Sequence, residues 1–306
     1  MSTIQGPGSL EQGAPYGTRL RHASPAAPAA VDAHQHFWPV GVRPRTPGTA
    51  ALDRAFAPAD LERELAGGEV GRTVLVQCAA GTGENDRLAA YAREFPPAGA
   101  LVIWLPLADP VAAERELARV RSFTGLVRGF RAAVPPGARA DPALLETMRF
   151  AERAGLLWEL VVTSEPHVAL VEQVAAACPD LPIVVDHLAT PPLDGGEPKA
   201  WEGWIDRLAA LPSASVKVSV GGDVLVGWEW EPDLLVPWVG RALEAFGAHR
   251  SMLAGNWPVV RLAADHATAW RSLRAAVAAA GPSAAEAALV AGGTARRRYA
   301  IGEDRG

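Results

Sequence analysis

The stretch AVDAHQHFW, residues 30–38, opens the first β-rich run of the chain and ends it in two histidines. On a strand, residues two apart share a face, so His34 and His36 point the same way and can reach one divalent cation or one substrate oxygen. Two structural histidines hydrogen-bonded at a strand end are the equal alternative on this motif alone. Asp32, two residues earlier, is placed to orient the pair. Working outward, further short apolar, β-branched runs follow at 72–79, 100–107, 126–132, 156–162, 182–189, 214–220 and 251–257, making eight. Segments with helical spacing separate them, among them ENDRLAAYAREF, DPALLETMRFAERAG and VALVEQVAAACP. That alternation predicts βα units on a parallel sheet. A doubly wound open sheet would place a glycine-rich phosphate turn after its first strand, where this chain has HQHFWPV. The expected fold is therefore α/β, a single-domain (β/α)₈ TIM-type barrel over 30–306 behind a flexible N-terminal arm, residues 1–29.

In such a barrel, chemistry collects at the carboxyl ends of the strands, where the βα loops converge. Read in order, those ends carry His34 and His36, Gln77, Arg131, Glu159, His187, Lys217 and Asn256. His187 follows Asp186 at the end of Pro-Ile-Val-Val, where leucine would pack better than imidazole, and so reads as a site residue before it reads as a core histidine. Arg131 suits bidentate capture of a substrate carboxylate, or an ion pair. Glu159 reads as its partner or as an acid/base group, and Gln77 as a substrate contact. Of 29 basic residues only Lys199 and Lys217 are lysines. Lys217, within Val-Lys-Val-Ser-Val, is expected either to face inward as a desolvated ammonium that polarises a carbonyl or to snorkel outward past a helix. Trp38 and Trp257 directly follow strands one and eight, and Trp228 and Trp230 lie in the loop after strand seven. Together they predict an aromatic-walled mouth for a flat or bulky apolar ligand, with ordinary loop packing as the alternative for each.

Composition narrows the setting. A 306-residue chain, 49% hydrophobic, can bury one large core, and a net charge of −5 with scattered acids and bases offers no stripe for phosphates. Nucleic acid is excluded as an expected partner, and so is a membrane, because no apolar run of spanning length exists. Cys78 and Cys178 have neither CxxC spacing nor a disulfide framework, which fits buried thiols in a cytoplasmic protein. His22 falls in the N-terminal arm and reads as a solvated side chain.

Several phrases taken together resemble the amidohydrolase-related branch that contains sugar-acid lactonases and 2-pyrone-4,6-dicarboxylate lactonase. They are VDAHQHFW, VLVQ followed by ENDRL, VRGFR, PIVVDHLATP, SVKVSV, FGAHRSMLAGNWPV and GGTARRRYAI, and they span residues 31–301. The resemblance implies that His34, His36 and His187 line the reaction centre and hold a metal if one is bound. It implies too that Arg131 binds an acidic or hydroxylated substrate. The family phrase Gly-Ser-Asp-Trp-Pro supplies an aspartate base, whereas this chain reads Ala254-Gly255-Asn256-Trp257-Pro258. An amide has no useful proton affinity, so Asn256 can orient water or substrate without deprotonating it. It also adds no charge to a metal site, so the expected cofactor is none, or one weakly held divalent ion, zinc or manganese. Thr294, where the family's closing helix usually has asparagine, is a second departure with a structural effect.

The expected activity is hydrolysis of a lactone or related cyclic ester. The alternative is a non-hydrolytic lyase, decarboxylase, isomerase or cyclase acting on an aromatic or polyketide-like compound. A binder without turnover ranks last, since it has little reason to keep three histidines. The expected partner is a small-molecule substrate, with a homodimer left open.

Overall fold

The computed structural model describes residues 1–2 and 30–302, apart from 43–47, 67, 136 and 194. The expected arm, residues 1–29 with His22, therefore lies almost wholly outside the described residues. Eight strands run β1 (Ala30–Gln35), β2 (Val70–Val76), β3 (Ala98–Ile103), β4 (Val127–Arg131), β5 (Leu157–Val161), β6 (Ile183–Asp186), β7 (Ala214–Val218) and β8 (Ser251–Leu253). Each pairs in parallel with the next, in the order β1 to β8. Beyond the last rung of β8, His36 N donates to Trp257 O at 2.8 Å, drawing the first and last strands together into a nearly closed barrel.

Among the described residues eleven α-helices connect and close it: α1 (Pro58–Leu65), α2 (Thr82–Glu94), α3 (Pro110–Arg121), α4 (Pro142–Arg153), α5 (Glu165–Ala177), α6 (Pro198–Ala209), α7 (Gly222–Leu225), α8 (Pro232–Phe246), α9 (His266–Ala279), α10 (Ala284–Ala288) and α11 (Thr294–Arg298). Local chemistry explains several starts. Asp109 and Asp141 accept from the amides of Ala112 and Leu144, and each is followed by a proline at the first helical position. That arrangement satisfies an otherwise orphaned donor and pre-sets φ for the turn. No helix among the described residues is long and apolar enough to cross a membrane.

Strand alternation divides the core in two. Outward-facing Leu101, Ile103, Phe130, Trp158, Leu160 and Val185 pack against the helices. Inward-facing Val31, Val74, Val102, Leu157, Val184 and Met252 fill the barrel together with Ala295, Tyr299 and Ile301 from the chain's end. The closing segment lies at the amino ends of the strands. Thr294 Oγ1 donates to Ala248 O, just before β8, and a Cβ on Gly292 would meet the amide nitrogen of Val31 at 3.0 Å. Higher in the barrel the inward positions of four adjacent strands become ionic: Arg131 on β4, Glu159 on β5, Asp186 on β6 and Lys217 on β7. The apolar floor thus supports a charged layer directly beneath the mouth.

The strands end sooner than the apolar runs suggest. The runs 72–79, 100–107 and 182–189 lose their last residues to loops, because the mouth residues sit past the final ladder rungs. His187 begins a turn in which four consecutive residues have positive φ, 52° to 55° through Thr190. For non-glycine residues that is strained backbone, held by its surroundings, and it is the kind of strain found at functional sites.

Candidate active site

His34 and His36 come together as their spacing requires, with their Nε2 atoms 3.0 Å apart. The ring centroid of His187 lies 4.6 Å from that of His34. All three imidazoles are buried, and His36 and His187 line a cavity of about 420 Å³ with Gln77, Arg131 and Asn256.

The proton on each ring follows from its partners. Lys217 faces inward, fully buried, and its ammonium lies 2.9 Å from His34 Nδ1. An ammonium can only donate, so this shortest contact of His34 makes Nδ1 the acceptor and puts the ring proton on Nε2, outweighing the longer contacts of Nδ1 with Asp186 Oδ1 at 3.4 Å and of Nε2 with Arg131 Nη1 at 3.3 Å. That N–H is directed at His36 Nε2, and His36 Nδ1 in turn donates to Val76 O at 2.7 Å. The result is one directional chain, Lys217 to His34 to His36 to the β2 backbone. Burial, reinforced by Lys217, lowers the His34 pKa well below its usual range and keeps the ring neutral.

The two carboxylates below are held by the same cation. Lys217 donates to Glu159 Oε2 at 2.6 Å and lies 3.1 Å from Asp186 Oδ1, while Arg131 Nη1 pairs with Asp186 Oδ2 at 3.0 Å. Burial pushes the Glu159 pKa up, with Lys217 opposing. Burial also acts to raise that of Asp186, but the Lys217 ammonium and the Arg131 guanidinium overcome it and hold the group well below the usual carboxylate range. The Arg131 guanidinium is therefore engaged by Asp186, and its Nη2 donates to the backbone of Gln77, whose side-chain amide donates back to Arg131 O. Of the two expectations for Arg131 the ion pair is what the geometry shows, and Glu159 pairs with Lys217 instead of with Arg131.

His187 stands apart from the chain of protons. Its Nδ1 lies 2.7 Å from Ser219 Oγ, which fixes the ring in the cavity wall. Burial, aided by Arg131 and Lys217 and opposed by Asp186, lowers its pKa to about 4. Asn256, at φ 50° in a left-handed conformation that asparagine tolerates, donates through Nδ2 to Val220 O at 2.8 Å. Its amide nitrogen is thus occupied, and the amide oxygen remains as its second polar group at the cavity wall.

Behind β1, Asp32 is the clamp between the first and last strands. Its Oδ1 accepts from the amides of His34 at 3.1 Å and Gly255 at 2.7 Å, and its Oδ2 pairs with His266 Nε2 at 2.8 Å and with the Gln35 amide. A Cβ on Gly255 would meet His266 Nε2 at 2.8 Å and crowd the Asp32 carboxylate. Gly255→Ala is accordingly expected to destabilise the fold by about 1–3 kcal/mol through overpacking, measured by urea denaturation.

The four tryptophans do not line this cavity. Trp38 and Trp257 are buried, packed on Phe56 and bonded to Arg54 O and Glu64. The rings of Trp228 and Trp230 pack at a tilt, centroids 5.3 Å apart, with Trp230 donating to Ser272 on α9. Trp104, past the end of β3, is the tryptophan among the lining residues. Asp186, Ser219, His266, His167 and Tyr299 are further residues that the sequence reading did not single out for the site. Cys78 is half-buried at the cavity and Cys178 is buried, both as free thiols.

His34, Asp186 and His187 lie close enough to be considered as metal ligands. Their donor chemistry does not fit a tightly held ion. A metal-bound imidazole normally donates its second nitrogen to an acceptor, whereas the nearest group to His34 Nδ1 is a cation. The lone pair of His36 Nε2 faces the His34 N–H, and both Asp186 oxygens face Lys217 or Arg131.

Comparison with known proteins agrees with this architecture. The amidohydrolase family profile matches residues 31–301. An L-fucono-1,5-lactonase of Burkholderia ambifaria is 33% identical over 242 residues, covering 76% of this chain and 81% of the relative. A second L-fucono-1,5-lactonase, from Burkholderia multivorans, is 29% identical over 296 residues, covering 89% and 96%. Among solved structures, a Burkholderia multivorans amidohydrolase with bound zinc superposes with a TM-score of 0.78 at 28% identity, covering 90% of this chain and 100% of its own. With its eight-stranded barrel and a family match over almost all described residues, the chain belongs to the amidohydrolase family and is an enzyme of the hydrolase type.

Proposed function

We propose that the protein opens a lactone by hydrolysis, with His187 as the base that takes a proton from the attacking water. The observation that carries this reading is the His187–Ser219 contact of 2.7 Å in the cavity wall. With Nδ1 on the hydroxyl, Nε2 is the nitrogen left to receive a proton, in the base-and-orienter arrangement that general-base catalysis uses. A pKa near 4 makes His187 a weak base that is almost fully neutral at physiological pH. The adjacent Asp186 carboxylate offsets that weakness by stabilising the imidazolium as it forms, and the imidazolium returns its proton to the ring oxygen as the acyl C–O bond breaks, leaving the open hydroxy acid.

Arg131 has five N–H groups, of which its contacts with Asp186 and Gln77 use only part. At the cavity wall it is the cation placed to polarise the lactone carbonyl and to hold the developing oxyanion. Asn256 accepts from the water through its amide oxygen and aligns it, and His34 and His36 stiffen the wall behind. The cavity volume suits a compact cyclic ester of sugar-acid size. The Burkholderia lactonases act in name on one such ring, which supports the reading. The two bonded imidazoles and the cation-paired Asp186 favour a reaction that does not depend on a tightly bound divalent ion. Dialysis against a chelator is expected to leave kcat/KM for lactone opening unchanged.

The direct test is proton release from a panel of sugar-acid and aryl 1,5-lactones. The second reading, a non-hydrolytic reaction on an aromatic compound, draws its support from Asn256 standing where the family phrase has aspartate. Asn256→Asp separates the two. Lactone hydrolysis is expected to be raised, because a carboxylate accepts from water more strongly than an amide. Unchanged or lower hydrolysis together with loss of a native non-hydrolytic activity would favour the second reading.

A further inference from the structure

Tyr299 lies on the segment that closes the chain, at the opposite end of the barrel from the cavity, yet its hydroxyl donates to Glu159 Oε1 inside the charged layer. Its ring is fully buried, and burial together with Glu159 raises the phenol's pKa well above its usual value, so it stays a donor. Glu159 then has one oxygen fixed by Tyr299 and the other by Lys217 at 2.6 Å. The Lys217 ammonium, with Glu159 fixed on one side and Asp186 at 3.1 Å on another, directs a proton to His34 Nδ1 at 2.9 Å. Every link in this sequence is buried, with Tyr299 and Lys217 donating to the two oxygens of Glu159 and Lys217 donating to His34.

We propose that Tyr299 is a positioning residue for the reaction: by fixing Glu159 it holds Lys217 on His34 Nδ1 and so determines that Nε2 is the nitrogen of His34 that carries the proton. Without the phenol, one oxygen of a buried carboxylate loses its donor, and the Glu159–Lys217 pair is free to turn or to share its proton differently. His34 then samples both tautomers, and the hydrogen bond that orders His36 at the cavity is lost for part of the time. The inference rests on the lactonase reading for its kinetic consequence but not for its structural one.

The test is ¹⁵N NMR of the full-length protein labelled at histidine, with the His34 signals assigned by their loss in His34→Gln. The unmodified protein is expected to show His34 in the Nε2–H form alone. In Tyr299→Phe, which keeps the ring in place, both tautomers should appear, and kcat for lactone opening should fall about 10-fold with KM unchanged, as for other groups that orient a site residue from behind. Glu159→Gln, which breaks the same link from its other side, should give the same mixed spectrum. A residue that merely plugs the barrel floor would lower the unfolding temperature and leave the spectrum and kcat unmoved. A single unshifted tautomer in both variants, or an unshifted kcat beside a shifted tautomer, overturns the proposal. Absence of lactone turnover in the unmodified protein would overturn the lactonase reading, while the spectra would still test the Tyr299 wiring.

Discussion

Replacing His187 by glutamine is expected to lower kcat for lactone opening by about 10²–10⁴-fold, the contribution a positioned general base commonly makes. KM should change little, because glutamine retains a polar side chain of similar reach at the cavity wall. The pH dependence follows from the same residue. Its pKa is lowered to about 4 in the folded protein, so the neutral, proton-accepting form is complete at neutral pH and kcat/KM should decline only as pH falls through that value. The sign for stability is the same. Between the unfolded pKa of about 6.5 and the folded value, the unfolded chain binds the proton and the folded chain does not. The stabilisation is thus fully present above the unfolded value and is lost progressively on acidification. Chemical denaturation at a series of pH values would show the decline, and His187→Gln should reduce it.

Lys217→Met is expected to cost about 3–5 kcal/mol of stability, because it leaves buried carboxylates without the cation that compensates them. Glu159 would keep Tyr299 and Asp186 would keep Arg131. One carboxyl in the variant should then take up a proton in the folded state at a higher pH than it does unfolded. Relative to the unmodified protein, the deficit should shrink as pH is lowered, the reverse of the trend set by His187. Denaturation of the two proteins side by side from neutral to mildly acidic pH would show converging stabilities if this is right. A constant deficit would indicate packing loss alone. Activity should be lost as well, since His34 would have no cation on Nδ1.

Much of this site is written in short local signals. His34 and His36 are legible because strand periodicity sends residues two apart to one face, and His187 because an imidazole ends an otherwise apolar strand. Lys217 stands out because the chain uses arginine almost everywhere else. What the sequence does not display is reach across the barrel. Tyr299 is separated from Glu159 by 140 positions, and His266 from Asp32 by 234. Nothing in the closing RRRYAI or at the start of α9 signals those contacts. Ser219 could have been found, since it lies two residues beyond Lys217 on the same strand run. The tryptophans show the opposite problem. Trp257 follows Asn256 directly, so its side chain leaves on the other side, and the chain at Trp38 has already turned away to pair with Phe56. Proximity to a strand end in sequence therefore placed them near the mouth but not in its wall. Arg131 was legible as a cation at the rim, while the identity of its partner depended on the strand order that brings Asp186 beside it.

Lactone opening in this barrel is proposed to need protein groups alone, with His187 as base. It is tested most directly by measuring kcat/KM for a sugar-acid lactone with chelator-treated enzyme, from below the His187 value of about 4 up to neutrality. Full activity without added metal, a single acidic limb near that value, and disappearance of the limb with the activity in His187→Gln are the expected results. Turnover that appears only when zinc is restored, or an acidic limb that persists at full activity in His187→Gln, would contradict the proposal.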